Sequence, residues 1–536
     1  GGDRDKEKRS KMGKIASRCS DMIYLTDDNP RGENPKKIRN DIKKKINQKK
    51  IKEIPNRKKA IFECIKNLRS GEIAIIAGKG HEKTQDYNGH KKYFSDRNEI
   101  LKSIDLKNRI LFKDLRLNII SEKTRNIPKG LVIDRGCINS KEIKKNDIFF
   151  AIKGKKNDGN KFIDEAFKKK SSLAVVNKIN KNHLLSKQIK VKNSLKFLTE
   201  CASIYRDNLE SNIISITGSC GKTTLKEMLG TTLKKISKVS CSPKSYNNKY
   251  GVPLSLFNTK QKDDFGVFEV GMDKKGEIDY LTKILKPNLG IITNISYAHS
   301  KNFKDIKGIA DAKSEIINNI KKDGTIILNA DDTFFEYHKK KALKRNLKVL
   351  SFGIDNKKSS IKFDKIKKHK NKYKIFIKIN DLSFFFFSKT NSRSYLQNLL
   401  ATITLLHLYF EINSIPKNIF FDFKPPEGRG DFVKIKTKLK KINLIDESYN
   451  SNPLSLKTAL LNYSNLDTKK SKKHVLLGDM LELGAHSIYQ HKSIKKIINK
   501  LNIDKVHVIG KHIKKTYSGI NKDKRGVILS RAGETF

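Results

Sequence analysis

The stretch that decides the fold is "NIISITGSCGKTTLKEML", residues 212–229. An apolar, β-rich run ends in a glycine-containing turn, and a helix-like pattern follows a Lys-Thr-Thr. Gly218 and Gly221 let backbone N–H groups face phosphates, and the next helix places its positive end there. Lys222 would reach the β- and γ-phosphates, and the Thr223 hydroxyl would ligate Mg²⁺. Thr217, Ser219, Cys220 and Thr224 complete the loop. The spacing is not the strict P-loop pattern, because Ile216 occupies the first glycine position. Nucleotide binding is the expectation.

Working outward, "FGVFEVG" (265–271), "LGIITNIS" (289–296) and "GTIILNADD" (324–332) repeat the same unit of short apolar run and polar loop. Such loops lie at the carboxyl ends of strands in open α/β sheets, where ligands bind. Glu269 and His299 sit at two of these ends. Downstream of a P-loop they suggest oxygen and nitrogen ligands for one or two Mg²⁺ ions.

Before the P-loop, "DIFFAIKG" and "SLAVVN" predict strands of another α/β segment. Residues 1–105 alternate strand and helix, with "DMIYLT" and "EIAIIAG" as buried strands, and a connector near 105–112 leads on. "YLQNLLATITLLHLYF" (395–410) predicts a helix that opens a last segment. Expected domains are thus 1–105, 110–205, 206–390 and 391–536. "LLGDMLELG…DKVHVIGKH" echoes "GGDRDKEKR…SDMIYLTDDNPR": a Gly-Asp turn precedes a helix, and an Asp-initiated strand follows. The sequence opens on Gly-Gly-Asp and stops at "RAGETF", so it reads as a fragment cut at both ends.

The 536 residues carry 37% hydrophobic residues and a formal charge of +59. Lys outnumbers Arg about five to one and is spread over every segment. Readers of bases and phosphates favour Arg in patches, so no specific nucleic acid is expected. "SFFFFS" is strand length, far short of a membrane span. The six cysteines show no CxxC pair, which suits a reducing cytoplasm.

"TGSCGKTT", "YNNKYGVPLSL", "FEVGMDKKGEI", "NISYAH", "AKSEI", "LNADD", "EGRGDF", "DESYNSNPLSL" and "GDMLELG" occur in the order found in the Mur ligases, and residues 110–536 resemble that family. Residues 1–105, with "GGDRDKEKR", "DDNPRGENP" and "IAGKGHE", resemble the C-terminal domain of its diaminopimelate-adding member. The resemblance implies an α/β multidomain architecture, with a P-loop central domain and Rossmann-like C-terminal domains, in a fusion of two ligases. It implies a cytoplasmic, monomeric enzyme that uses ATP and Mg²⁺ to join D-Ala-D-Ala to UDP-MurNAc-tripeptide through an acyl phosphate.

Carried over residue by residue, Thr223, Glu269 and His299 would hold metal, and Lys313 would be carbamylated into a further ligand. Asn247 and Asn248 would face phosphates or substrate. Asn398 would contact adenine, Arg429 the phosphates and Asp446 the ribose. Tyr449, Asn450 and Asn452, with the Gly478–Gly484 loop, would position the dipeptide. Arg4, Asn29, Arg31, Gly78 and Glu82 align with a diaminopimelate pocket. Departures fall at Ser392, Arg393, Ser394 and Tyr395, at Asn139, Ser140 and Lys141, and at Asn160. Two rivals stay open: a nucleic-acid-stimulated P-loop ATPase, and another ligase of the superfamily such as a folylpolyglutamate synthase.

Overall fold

The computed structural model describes residues 1–68, 72–80, 82–124, 131–154, 157–436, 441–466 and 471–530. The expected stop at "RAGETF" (531–536) lies outside them. The chain divides into two compact units, Gly1–Asn118 and Ile119–Phe536.

In the first unit, helices Glu7–Cys19, Pro35–Lys43 and Arg57–Asn67 accompany a parallel pair, Ile23–Leu25 with Ile51–Glu53. Asn34 caps the second helix through Lys36 and Lys37 N–H, with Pro35 at its first position, and Asn56 caps the third. "EIAIIAG" departs from its expected reading. Residues 72–77 belong to no sheet, and Ile73 and Ile75 are each 87% exposed. An apolar run becomes a buried strand only when a neighbouring strand takes its backbone hydrogen bonds, and the two-stranded sheet supplies none here. The expected connector near 105–112 is also different: it lies inside one continuous helix, Asp96–Lys123.

The second unit begins with a four-stranded parallel sheet in sequential order, Arg135–Cys137, Asp147–Phe150, Leu173–Val176 and Gln188–Lys190. The P-loop strand Asn212–Thr217 lies in a nine-stranded sheet, between Phe265–Glu269 and Leu289–Ile292, all parallel. Thr325–Asn329, Lys348–Gly353 and Ile361–His369 continue it in parallel, and an antiparallel meander, Lys372–Ile379 and Leu382–Ser388, ends it. Ile213, Ile214, Ile216, Ile291 and Ile327 are fully buried. Strands covered on both faces read as near-continuous apolar runs, which is why these were legible. Helices Lys222–Leu233 and Arg393–Tyr409 share that core.

Beyond 430 come an antiparallel pair, Asp431–Lys436 with Lys441–Asp446, and a three-stranded parallel sheet, His474–Gly478, Lys505–Ile509 and Arg525–Leu529. The repeat noticed in the sequence has a structural counterpart. Asp479 accepts the Lys511 and Ile513 N–H groups at 2.9 and 2.7 Å. Asp3 in the first unit accepts that of Gly32 at 3.2 Å. Each aspartate ties its turn to the loop after the following strand.

Candidate active site

The P-loop conformation follows from its glycines. Gly218 has φ 144° and Gly221 φ 80°, and a Cβ on Gly218 would lie 1.9 Å from Thr293 Oγ1. The loop is held by the end of the neighbouring strand: Asn294 Oδ1 accepts Cys220 N–H at 2.9 Å, and Thr293 Oγ1 donates to Cys220 C=O at 2.6 Å. Ser219 Oγ donates to Ser296 C=O at 3.0 Å and accepts its N–H at 2.8 Å. Thr293, Asn294 and Ser296 were not singled out from sequence. They lie over seventy residues away, and only the parallel pairing brings them back. Thr217 is fully buried, and its hydroxyl has no hydrogen-bond partner. Thr224 lines the cleft.

Lys222 opens the helix after the loop, and its ammonium donates to Gly218 C=O at 2.8 Å. Thr223 Oγ1 donates to Glu269 Oε2 at 2.6 Å, and Asn247 Nδ2 donates to Glu269 Oε1 at 2.8 Å. Three predicted residues therefore meet at one buried carboxylate. A hydroxyl, a carboxylate and an amide give the hard oxygen donors that Mg²⁺ takes alongside phosphates. Lys313 is 1% exposed in helix Ile306–Ser314. Burial, then the charge of Lys222, push its amine well below the ordinary lysine range.

His299 is in a separate cluster. Its Nδ1 makes an ion-pair contact, not a directed hydrogen bond, with Glu482, and lies 3.4 Å from Asp273. One donor atom from each of these three falls within 4.8 Å of the others, so the group could hold a metal ion. Asp273 and Glu482 were missed, although both lie in quoted motifs, "FEVGMDKKGEI" and "GDMLELG". Burial and then Lys222 lower the His299 pKa, against the charges of Glu482 and Asp273.

The segment after 390 lines the same cleft. Asn398 is buried and would come within 3.3 Å of a Cβ on Gly221. The Arg429 guanidinium lies 4.0 Å over the Tyr449 ring, and the Tyr449 hydroxyl meets Ser245 Oγ at 2.8 Å. Asp446 accepts Ser448 N–H at 2.9 Å. Burial, then the charges of Asp446 and Asp431, raise the Glu447 pKa to about 7. Asn452 caps helix Pro453–Ser464, and its Oδ1 also lies 3.1 Å from Cys220 Sγ. Asn450 is exposed on the cleft wall. Asn248 spends its oxygen on Tyr250 and Gly251 N–H, a turn-forming use.

Residues where the sequence departs from the family pattern have local uses. Ser392 caps helix Arg393–Tyr409 by accepting Tyr395 N–H, and Arg393 pairs with Asp355. Asn139 caps a short turn, with Ser140 and Lys141 inside it. Asn160 accepts Asn177 N–H at 3.0 Å.

In the first unit, Asn29 Nδ2 donates to Glu82 Oε2 at 2.6 Å. The fully buried Lys79, not foreseen, donates to Asn29 Oδ1 at 3.1 Å and lies 3.7 Å from Glu82. Gly78 has φ 117°. Arg31 donates to Gly2 C=O at 2.8 Å, while Arg4 is exposed.

Comparison with known proteins places this geometry. The family model described as the Mur ligase middle domain matches residues 216–406, and that of the Mur ligase glutamate ligase domain matches 1–80. The UDP-N-acetylmuramoyl-tripeptide--D-alanyl-D-alanine ligase of Rickettsia prowazekii is 32% identical over 413 residues, 74% of this chain and 89% of that protein. Its namesake in Buchnera aphidicola from Acyrthosiphon pisum is 34% identical over 395 residues, 71% of this chain and 82% of that one. Among solved structures, MurF from Acinetobacter baumannii superposes with TM-score 0.68 at 25% identity, covering 78% of this chain and 90% of that one. MurF from Thermotoga maritima in complex with ADP gives 0.63 at 25%, covering 75% and 90%.

Proposed function

The chain belongs to the Mur ligase family, and from that premise we propose the reaction it runs. It is an ATP-dependent ligase that adds D-alanyl-D-alanine to UDP-MurNAc-tripeptide in peptidoglycan precursor synthesis. The observation that carries the site assignment is the convergence of Thr223, Asn247 and Glu269 beside Lys222.

A carboxylate is a poor electrophile. Transfer of the γ-phosphoryl group of ATP to the terminal carboxylate of the tripeptide makes an acyl phosphate with a good leaving group. The D-Ala-D-Ala amine then attacks the carbonyl, and phosphate leaves from the tetrahedral intermediate. Lys222 moves from the Gly218 carbonyl to the phosphates and offsets charge during transfer. Mg²⁺, held by Thr223 and Glu269, would neutralise phosphate oxygens. Burial favours the neutral form of the Lys313 amine, the form that takes up CO₂, and a carbamate there would supply an anion near Lys222 and His299. Arg429 stacked on Tyr449 would brace the nucleotide, with Asn398 at adenine and Asp446 at ribose. The 478–484 loop and Asn452 would help exclude water from the acyl phosphate.

We further infer that Gly1–Asn118 is a diaminopimelate-binding domain of a second ligase, supported by the match of residues 1–80 and by Asn29 and Glu82 meeting at Lys79. No described helix is long and apolar enough to cross a membrane, and we propose a cytoplasmic monomer. The test is phosphate release from ATP and Mg²⁺ with each substrate alone and with both. Release only with both is expected; release with neither, or stimulation by nucleic acid, would overturn the reading.

A further inference from the structure

Two residues without glycine's freedom adopt left-handed backbone and meet through their side chains, His299 at φ 54° and Glu482 at φ 61°. Such strain persists only where the surroundings over-determine it. The loop carrying Glu482 is fixed at its base, where Asp479 accepts two N–H groups and the fully buried His491 accepts Met480 N–H at 3.0 Å. Its far side is seated on residues 297–303. Lys301 N–H donates to Glu482 C=O at 3.0 Å, and Ser300 Oγ donates to Leu483 C=O at 3.2 Å. Gly484 fits so closely that a Cβ there would lie 2.7 Å from Lys301 Cα. The backbone thus staples the two loops without help from the Glu482 side chain. Its carboxylate is spent on His299 instead, whose other charged neighbours are Asp273, Lys222 and Lys313.

We propose that Glu482 is a positioning residue of the ligation site: by pairing with His299 from the far segment, it holds the imidazole in the cleft that Lys222 lines only while the 478–484 loop is seated. The proposal rests on the ligase reading and gives loop seating a route to chemistry. A misplacement of about 1 Å at a reacting group costs roughly 100-fold.

The test is a double-mutant cycle on the full chain. Glu482→Ala should lower kcat roughly 100-fold, with KM for ATP little changed. Glu482→Gln, which keeps the shape but drops the charge of the ion pair, should recover little of the loss. In a His299→Ala background, Glu482→Ala should slow the enzyme no further. Multiplying losses, or a Glu482→Ala enzyme as fast as the parent, would overturn the proposal. If the parent joins no dipeptide, the ligase reading falls, and the clasp is judged from denaturation midpoints. Non-additive shifts for the two substitutions support it, and additive shifts overturn it.

Discussion

Around the P-loop, the groups removed from water are mostly apolar: Ile214, Ile216, Leu225, Met228 and Leu229 are fully buried in one core. In Gly1–Asn118 a few isoleucines share the interior with arginines. Arg9 donates to Glu33 at 2.8 Å and to Asp41 at 3.3 Å. Arg39 holds Asp27 and Glu53, and Arg57 grips Asp96 with two N–H groups at 2.6 and 2.8 Å. All three arginines are buried. A nine-stranded sheet hides enough apolar surface to carry its own loops, whereas a two-stranded one leans on charge. The phosphate site sits on the first kind of support and the aligned diaminopimelate residues on the second.

The largest effect that could break this contrast is catalytic. Lys222→Ala should lower dipeptide ligation by about 10³-fold, the scale seen when one donor to a developing charge is lost. Arg31→Ala, in the first unit, should leave the same rate unchanged. Steady-state kinetics on both variants decides it, and a slow Arg31→Ala enzyme would end the separation of roles.

Next in size is stability. Arg57→Ala leaves Asp96 buried and unpaired, a change that costs about 3–5 kcal/mol. Amide exchange by mass spectrometry should show lost protection confined to Gly1–Asn118. Loss spread over the P-loop sheet would contradict the division.

The two regions should also part company with pH. His338 is 2% exposed, and burial lowers its pKa to about 4. The unfolded chain takes up that proton near pH 6.5 and the folded chain does not. Stability of the P-loop region is therefore complete above about 6.5 and falls by roughly 3 kcal/mol as pH drops to 4. In the first unit Glu33 is held at about 2, chiefly by Arg9. A depressed carboxylate contributes fully above its unfolded value and loses that contribution only as pH falls through the folded one. Between pH 6.5 and 4.5, then, amide protection corrected for the intrinsic exchange rate should fall in residues 325–353 and not around Arg9. His338→Leu should flatten the difference.

What was legible in the sequence follows the same line. The P-loop, its buried strands and the helix at 393–409 are local patterns of apolar runs and turns, so they could be read directly. Glu269 was readable as a strand end, but its meeting with Thr223 and Asn247 became visible only in three dimensions. Asp273 and Glu482 escaped notice because nothing local marks two carboxylates, 26 residues before and 183 residues after it in the chain, that meet one histidine. "EIAIIAG" was misread because a strand is made by its neighbour as much as by its own residues. Lys79 was passed over as one lysine among many, and its burial separates it from the rest.

The smallest expected effect concerns Lys313. If its amine carries a carbamate, removing bicarbonate should slow ligation several-fold, and Lys313→Ala should lose that dependence and regain some rate with an added short carboxylic acid. Equal rates with and without bicarbonate would leave Lys313 a plain buried amine.

The central claim is that ATP is used to activate the tripeptide carboxylate, and isotope transfer tests it most directly. With both oxygens of that carboxylate labelled as ¹⁸O, each turnover should deliver one ¹⁸O to the released phosphate and leave the other in the new amide. Unlabelled phosphate accompanying a ligated product would mean that no acyl phosphate forms.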